Sequence, residues 1–159
     1  FARMPSPILK QINVSDVIER AINFYKMSDK NLKFNFDNKI KNKNFINGDS
    51  DQLYRVFVNL IKNSIEAIDE KKQKNSNIQG KINVEIDKNN EYIEIKMHDN
   101  GIGFNDTKNI VRPYFTTKKD GTGLGLPIVT KIINEHNGDI NFIKKSDGAE
   151  ILISLPIFS

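Results

Sequence analysis

Apolar residues recur at helical intervals in three parts of the chain. The first part runs from a candidate N-cap at Ser15 to about Met27, and the second runs from Ser50 to about Glu70. The third begins near Leu124 and ends at an Asn-Gly pair, which is typical of a helix C-cap. The residues expected to face a core are Val17, Ile18, Ala21 and Ile22 in the first helix, Leu53, Val56, Phe57 and Leu60 in the second, and Ile128, Val129, Ile132 and Ile133 in the third.

Alternation of apolar and polar residues predicts the strands. Short strands are expected at about 32–36 and 45–48, and two hairpins at 81–99 and 139–155. Residues 1–10 contain two prolines, which disfavour a helix there, and are expected to form an extended lead-in. The order of elements predicts an α+β fold with one mixed, mostly antiparallel sheet covered by helices on one face.

One acidic residue falls on the apolar side of a predicted strand. Asp99 has the same parity as Ile93, Ile95 and Met97, so its carboxylate is expected to face the side that holds the core. A carboxylate removed from water needs a polar partner. Asp99 is therefore a candidate for the recognition of a ligand.

Composition is ordinary for one globular domain. The chain has 159 residues, of which 38% are hydrophobic and 28% charged, with a net charge of +4 and no Cys. No apolar run approaches the roughly 20 residues of a membrane-spanning helix. Lysines are scattered through turn-like stretches without interleaved aromatic residues, so we expect no direct contact with nucleic acid.

Two glycine-containing motifs and an asparagine pair indicate a nucleotide site. DNGIGF occupies residues 99–104, GTGLGL occupies residues 121–126, and Asn59 and Asn63 lie one helical turn apart. Glycine lets backbone amides approach phosphate oxygens without a side chain in the way. Each feature alone has a structural explanation: a tight turn, a glycine-rich helix start or a polar helix face. The three in this order favour nucleotide binding.

These motifs resemble those of sensor histidine kinases. NLIKNSIEA, DNGIGF, PYFTTK and GTGLGLPIV are similar to the N, G1, F and G2 boxes of that family, within the gyrase, Hsp90, histidine kinase and MutL (GHKL) superfamily. The opening FARMP and the short spacing from TTK to GTGLGL are most similar to nitrogen-regulation sensors of the NtrY type. The resemblance implies a two-layer α/β sandwich of the Bergerat type, with ATP and Mg²⁺ as cofactors.

The resemblance also implies roles for residues near the adenine and the metal. Asp99 would accept a hydrogen bond from the adenine amine, and Gly101 and Gly103 would allow the turn and the close approach of the base. Asn63 would coordinate Mg²⁺ through its side-chain oxygen, and Asn59 would line the same phosphate region. The nearby Lys62 would assist the phosphates, although a solvated lysine is equally expected there.

A second set of roles falls on residues 104–120, which lack a sustained period and could form a lid, and on the start of the third helix. Lys118 is a candidate catalytic residue that could swing toward the γ-phosphate, and a flexible, solvated lysine is the alternative. Phe115 would anchor the lid. The remaining candidate nucleotide-binding residues are Thr116, Thr117, Gly121, Thr122, Gly123, Leu124, Gly125 and Leu126.

Asn59 helps to separate the activities of the superfamily. Hydrolases and serine-directed kinases that resemble this chain usually have Glu at that position, because water or a hydroxyl must lose a proton as it attacks phosphorus. A neutral imidazole attacks through a nitrogen lone pair and needs a base less. The resemblance therefore implies γ-phosphoryl transfer to a histidine. The alternatives are an ATP hydrolase or clamp and a non-catalytic nucleotide-binding module.

The acceptor histidine is expected on another domain. The chain has two histidines, His98 and His136, and neither lies in an HExxxP-like context. We expect residues 1–10 to be a linker from an upstream dimerisation and phosphoacceptor domain, and residues 11–159 to be the catalytic domain. The implied partners are that upstream domain and the receiver domain of a response regulator. The implied location is the cytoplasmic part of a kinase that is anchored in a membrane only through upstream segments.

The chain departs from the family pattern at two places. Arg112 stands where relatives commonly have Glu, and Ala149 and Glu150 replace a frequent Thr pair near the adenine pocket. These changes affect the expected contacts of the lid and the packing of the base. They leave Asp99 and Asn63 in place.

Overall fold

The computed structural model describes residues 4–42, 44–104 and 125–159. Its helices are α1 (Val14–Ser28), α2 (Ser50–Lys74) and α3 (Gly125–Glu135). Its strands are β1 (Lys10–Asn13), β2 (Lys33–Asn38), β3 (Phe45–Gly48), β4 (Lys81–Lys88), β5 (Tyr92–Asp99), β6 (Asp139–Lys144) and β7 (Ala149–Pro156). The predicted helices and hairpins are confirmed, whereas β1 was not predicted.

The main sheet is mixed, as the sequence indicates. Five strands lie in the order β2-β4-β5-β7-β6, with β2 parallel to β4 and the other neighbours antiparallel. Its inner side carries a continuous apolar surface, because alternate residues of β4, β5 and β7 are buried while their neighbours are more exposed. The helices cover this inner side, which confirms the predicted two-layer α+β arrangement.

Helix α2 supplies much of the core. Leu53, Phe57 and Leu60 are each fully buried along its inner stripe. Complete burial of such a side chain stabilises the fold by about 1.5–3 kcal/mol relative to exposure. This stripe fixes the rotation of α2 about its axis, and that rotation decides which side chains face the end of β5.

The starts of α1 and α2 are joined by a small second sheet. β1 pairs with β3 in antiparallel fashion, with Lys10 opposite Gly48. Each of these strands leads directly into a helix. The prediction that Ser15 caps α1 was wrong, because Asn13 is the N-cap and its Oδ1 accepts hydrogen bonds from both the backbone N–H and the hydroxyl of Ser15.

The turns that follow α3 have a left-handed backbone where the sequence predicts it. Asn137 has a φ of 59°, and the N–H of Gly138 bonds to the carbonyl of Ile133 at 3.0 Å, which closes the helix as expected. Gly148 has a φ of 83° in the β6–β7 turn. Among the described residues, no helix combines the length and apolar character needed to cross a membrane.

Candidate functional site

A pocket opens at the end of β5, between α2, the start of α3 and β7. It combines apolar walls with a few polar groups that converge on one side, which is the usual composition of a small-molecule site. The described residues that line it are Leu60, Asn63, Ser64, Ala67, Asp99, Gly103, Phe104, Leu126, Ala149 and Ile151.

Asp99 is the charged residue among the described residues that line this pocket. Its side chain is buried, with 4% of the residue exposed, which confirms the inward parity predicted from the sequence. Its Oδ1 accepts a 2.9 Å hydrogen bond from the backbone N–H of Gly101, and its Oδ2 accepts one of 2.9 Å from the hydroxyl of Ser64. Burial raises the pKa of Asp99, and these two donors partly oppose the rise because they stabilise the carboxylate.

The glycines of the loop after Asp99 have close protein neighbours. A Cβ at Gly101 would lie 2.6 Å from the backbone carbon of Ala67 in α2. Gly103 has a φ of 79°, and a Cβ there would lie 2.7 Å from the carbonyl oxygen of Gly148. The loop is therefore packed between α2 and the β6–β7 turn, and glycine is needed for this close approach as well as for the turn itself.

Lys71 fastens the same loop to the β6–β7 turn. Its Nζ donates to the carbonyl oxygen of Asn100 at 3.0 Å and to the carboxylate of Asp147 at 2.9 Å. The ring of His98 is 2.7 Å from the carbonyl oxygen of Asp147. These contacts lie outside the pocket, and they hold the loop after Asp99, which lines the pocket, in one position.

The candidate residues of α2 differ in whether they line the pocket. Asn63 is half-buried and lines the pocket together with Asp99. Asn59 is half-buried one turn earlier, and Lys62 is exposed. In the part of the chain that the structure describes, the pocket lining includes Asn63 but neither of these two neighbours.

At the start of α3, Leu126 lines the pocket and Gly125 is the first residue of the helix. A Cβ at Gly125 would meet no atom of the described residues within 4 Å. The other candidate residues of the lid and the glycine-rich stretch lie outside the described residues, and so does Arg112; those candidates are Phe115, Thr116, Thr117, Lys118, Gly121, Thr122, Gly123 and Leu124.

The two departures on β7 point to opposite sides of the sheet. Ala149 is buried, pairs with Asp99 across the strands and lines the pocket. Glu150 pairs with His98 on the other side and makes a 3.4 Å ion pair with Lys145. The pocket therefore gains a methyl group from this part of β7, and the added carboxylate stays outside it.

Ser64 is the polar pocket residue that sequence reasoning missed. Its helical spacing from Leu60 places it on the apolar stripe of α2, where a core role is the expectation. The signal was its place directly after Asn63, on the turn of α2 that faces Asp99. A small hydroxyl on a buried stripe is a candidate partner for a buried carboxylate on the facing strand.

Among residues 4–42, 44–104 and 125–159, no group of three or more His, Cys, Asp or Glu side chains is placed to hold a metal ion. Asn63 nevertheless brings an amide oxygen to the pocket. Magnesium in nucleotide sites commonly takes one or two protein oxygens and fills its remaining positions with phosphates and water. The donors that are present fit a metal ion that arrives with a phosphorylated ligand.

Both histidines lie away from the pocket lining. His136 is buried, with 2% exposed, and its ring joins Asp49 and Ile132 by hydrogen bonds. His98 is on the outer side of the sheet. These positions give His136 a structural role and leave His98 outside the pocket.

Comparison with known proteins identifies what the chain is similar to. Residues 48–158 match the family described as histidine kinase-, DNA gyrase B- and HSP90-like ATPases. The nitrogen regulation protein NtrY of Azorhizobium caulinodans is 31% identical over 159 residues, which cover 99% of this chain and 20% of that protein. The chain spans between a fifth and about a quarter of the length of such relatives.

Solved structures agree in fold. The nucleotide-free catalytic domain of histidine kinase ThkA is 25% identical and has a TM-score of 0.80, over 94% of this chain and 96% of that one. A structure of ThkA in complex with the response regulator TrrA has a TM-score of 0.77 at 22% identity, over 96% of this chain and 42% of that one.

Proposed function

The chain belongs to the histidine kinase-, DNA gyrase B- and HSP90-like ATPases, and we propose that it is the catalytic domain of a sensor histidine kinase of the NtrY type. The observation that carries this proposal is the buried carboxylate of Asp99, which lines one pocket together with Asn63. The family uses ATP, and these two residues match the positions expected to hold its base and its metal.

The base would bind against Asp99. An ionised carboxylate accepts hydrogen bonds and donates none, so it suits the exocyclic amine of adenine. The apolar walls formed by Leu60, Ala67 and Ile151 suit the faces of a purine ring. The methyl of Ala149 adds to that apolar surface.

The phosphates would lie toward Asn63. Its amide oxygen would be a ligand of Mg²⁺, which would neutralise charge on the phosphates during transfer. Asn59 would line the same region one turn earlier, and Lys62 would approach it from solvent. The backbone at the start of α3 would face the phosphates, since the first N–H groups of a helix lack partners within it and attract anions. Gly125 and Leu126 are the described residues of that start.

The γ-phosphoryl group would pass to a histidine on a separate domain. His98 and His136 are fixed in structural hydrogen bonds outside the pocket, which supports an acceptor elsewhere. Residues 1–10 would link this domain to an upstream dimerisation and phosphoacceptor domain, and residues 11–159 would be the catalytic unit. The next partner would be the receiver domain of a response regulator, in line with the ThkA–TrrA complex. The domain would work on the cytoplasmic side of a kinase anchored through upstream segments.

A radiolabel assay tests the proposal. The chain, γ-labelled ATP, Mg²⁺ and the upstream helical domain of the same protein are incubated together. Acid-labile, base-stable phosphate on the upstream domain is the expected result. Free phosphate without protein label would indicate a hydrolase of the same family, and nucleotide binding without either product would indicate a non-catalytic module.

A further inference from the structure

Ser64 and Asp99 form a buried pair at the base of the pocket. The hydroxyl of Ser64 donates to Oδ2 of Asp99 at 2.9 Å, and the two residues are 3% and 4% exposed. Oδ1 of Asp99 is held by the N–H of Gly101 at 2.9 Å. Each oxygen of the carboxylate therefore accepts from its own donor, one on α2 and one in the loop after β5, and these two bonds fix the orientation of the carboxylate.

We propose that Ser64 is a positioning residue that determines base specificity: its hydroxyl keeps Asp99 in the ionised, acceptor-only form that selects a 6-amino purine over a 6-oxo purine. This inference rests on the proposed function, because it concerns how the base of the nucleotide is chosen. Ser64 acts through Asp99. The carboxylate of Asp99, and not Ser64, contacts the amine.

The chemistry follows from the hydrogen-bonding capacity of a carboxyl group. An ionised carboxylate can only accept, so it pairs with the amine of adenine and repels the 6-oxo oxygen of hypoxanthine or guanine. A protonated carboxyl group has one O–H donor and can bond to that oxygen. Discrimination at position 6 therefore depends on which form of Asp99 is present at the working pH.

Two opposing effects set the form of Asp99. Burial disfavours the charge and raises its pKa, whereas donors to the carboxylate lower it. Gly101 supplies its donor from the backbone, which no side-chain substitution removes. Among the described residues, Ser64 is the side-chain donor, whereas Ala149 on the facing strand lowers the pKa of Asp99 through its backbone N–H.

Among the described residues, the other charged groups around Asp99 are engaged elsewhere. On α2, Lys71 bonds to the carbonyl of Asn100 and to Asp147. His98 faces the outer side of the sheet, where Glu150 pairs with Lys145. The residue opposite Asp99 on β4 is Ile82, which carries no charge. Ser64 is thus placed to control Asp99 more directly than any of these ions.

The first test needs no nucleotide. The carboxyl group of Asp99 is titrated by NMR in the ligand-free wild-type chain and in Ser64→Ala. We expect the midpoint of Ser64→Ala to rise by about one pH unit or more, since a hydrogen bond to a charged group is worth roughly 1.5–3 kcal/mol and one pH unit corresponds to 1.36 kcal/mol. An unchanged midpoint in a folded variant would overturn the proposal.

The second test measures base choice. Affinities for ATP and for inosine triphosphate, which has a 6-oxo group, are determined between pH 5 and 8. In Ser64→Ala we expect ATP affinity to fall about tenfold while inosine triphosphate affinity stays constant or rises, with the largest change at the acidic end. The conservative variant Ser64→Thr keeps the hydroxyl and should keep the wild-type ratio. Equal losses for both nucleotides would reveal a purely structural role and overturn the inference.

The two proposals fail separately. If the wild-type chain takes up no ATP in the presence of Mg²⁺, the proposed function fails, and the NMR titration still decides whether Ser64 controls the charge of Asp99. If the wild type binds ATP and Ser64→Ala has the wild-type nucleotide ratio, the function stands and the role of Ser64 is wrong.

Discussion

Nε2 of His136 accepts a 2.9 Å hydrogen bond from the backbone N–H of Asp49, and this contact joins the end of α3 to the start of α2. The other ring nitrogen, Nδ1, lies 2.8 Å from the carbonyl oxygen of Ile132. With Nε2 as the acceptor, Nδ1 is the ring nitrogen that can donate to Ile132. Both helices contribute to the pocket wall, so the contact helps to set its width.

Replacement of His136 should destabilise the fold, but it should not remove the histidine that accepts the phosphoryl group, which is proposed to lie on another domain. His136→Phe leaves the N–H of Asp49 without its partner, and we expect a loss of about 1–3 kcal/mol in the free energy of unfolding. His98→Gln, on the outer side of the sheet, is the comparison; the glutamine amide can donate to the same carbonyl oxygen of Asp147, so stability should change by about 0.5 kcal/mol or less. Urea denaturation measures both. Label found on this chain and lost in folded His98→Gln would contradict the assignment of the acceptor to the upstream domain.

Asp49 should contribute stability that disappears in acid. Burial alone would raise its pKa, but backbone donors from Ile8, Gln52 and Asp51 outweigh burial and lower the pKa. A carboxyl group whose pKa is lower in the folded state stabilises the fold above its unfolded pKa of about 3.9, and this contribution is lost as pH falls through the folded pKa.

The corresponding variant is Asp49→Ala, which removes the N-cap of α2. We expect a loss of about 1–2 kcal/mol at pH 7, measured by denaturant unfolding, and a smaller difference from wild type at acidic pH. Asp51→Ala is the matched control, because Asp51 is exposed in the same first turn and does not cap the helix. Equal losses in the two variants would argue against the cap.

Local patterns predicted the elements well, and long-range contacts account for most of what was missed. The inward parity of Asp99 follows from alternation along β5, which only needs neighbouring residues. The pairing of β1 with β3 depends on two segments that are far apart in the chain, so a strand of four residues at Lys10–Asn13 gave no periodic signal of its own. The cap at Asn13 was missed for a related reason, since Ser15 is an equally good cap by residue type.

The candidate site was predicted through its motifs, and Ser64 marks the limit of that approach. A hydroxyl in an apolar stripe is compatible with a core position, and only the position of Asp99 across the layer shows what it bonds to. Gly101 is a similar case. The motif suggests a turn glycine, whereas the close approach to Ala67 shows that the space for a side chain is occupied by α2.

Gly148→Ala should damage both the fold and the pocket. A Cβ at this residue would lie 1.7 Å from the carbonyl oxygen of Asp99, and the φ of 83° is strained for any residue with a side chain. We expect a loss of several kcal/mol or failure to fold, because backbone must move. Gly125→Ala is the stability control, since its Cβ would meet no neighbour in the part of the chain that the structure describes. Thermal denaturation compares the two, and a wild-type melting temperature for Gly148→Ala would contradict the geometry of this turn.

Asn63→Ala should abolish Mg²⁺-dependent transfer while the adenine contact remains. The substitution removes the amide oxygen proposed to bind the metal and leaves Asp99 in place. We expect labelling of the upstream domain to fall at least a hundredfold, and the affinity for ADP without Mg²⁺ to change less than threefold. Asn77→Ala, in the exposed loop after α2, is the matched control. Wild-type transfer by folded Asn63→Ala would remove Asn63 from the metal role.

Asp99→Asn should separate stability from nucleotide recognition. The pKa of Asp99 is raised by burial, so the folded state holds its proton more tightly than the unfolded state does. Its favourable contribution is present below the unfolded pKa and is lost as pH rises through the folded pKa. The amide of Asn is neutral at every pH, and it can accept from Gly101 and donate to Ser64. We therefore expect Asp99→Asn to melt at a higher temperature than wild type at pH 7, with the difference shrinking in acid.

Calorimetry of Asp99→Asn should show ATP affinity reduced about tenfold or more, because the charged acceptor for the adenine amine is gone. A variant that melts lower at pH 7 would contradict the raised pKa of the buried carboxyl group. A variant that keeps wild-type ATP affinity would contradict the ionised carboxylate as the group that recognises the base.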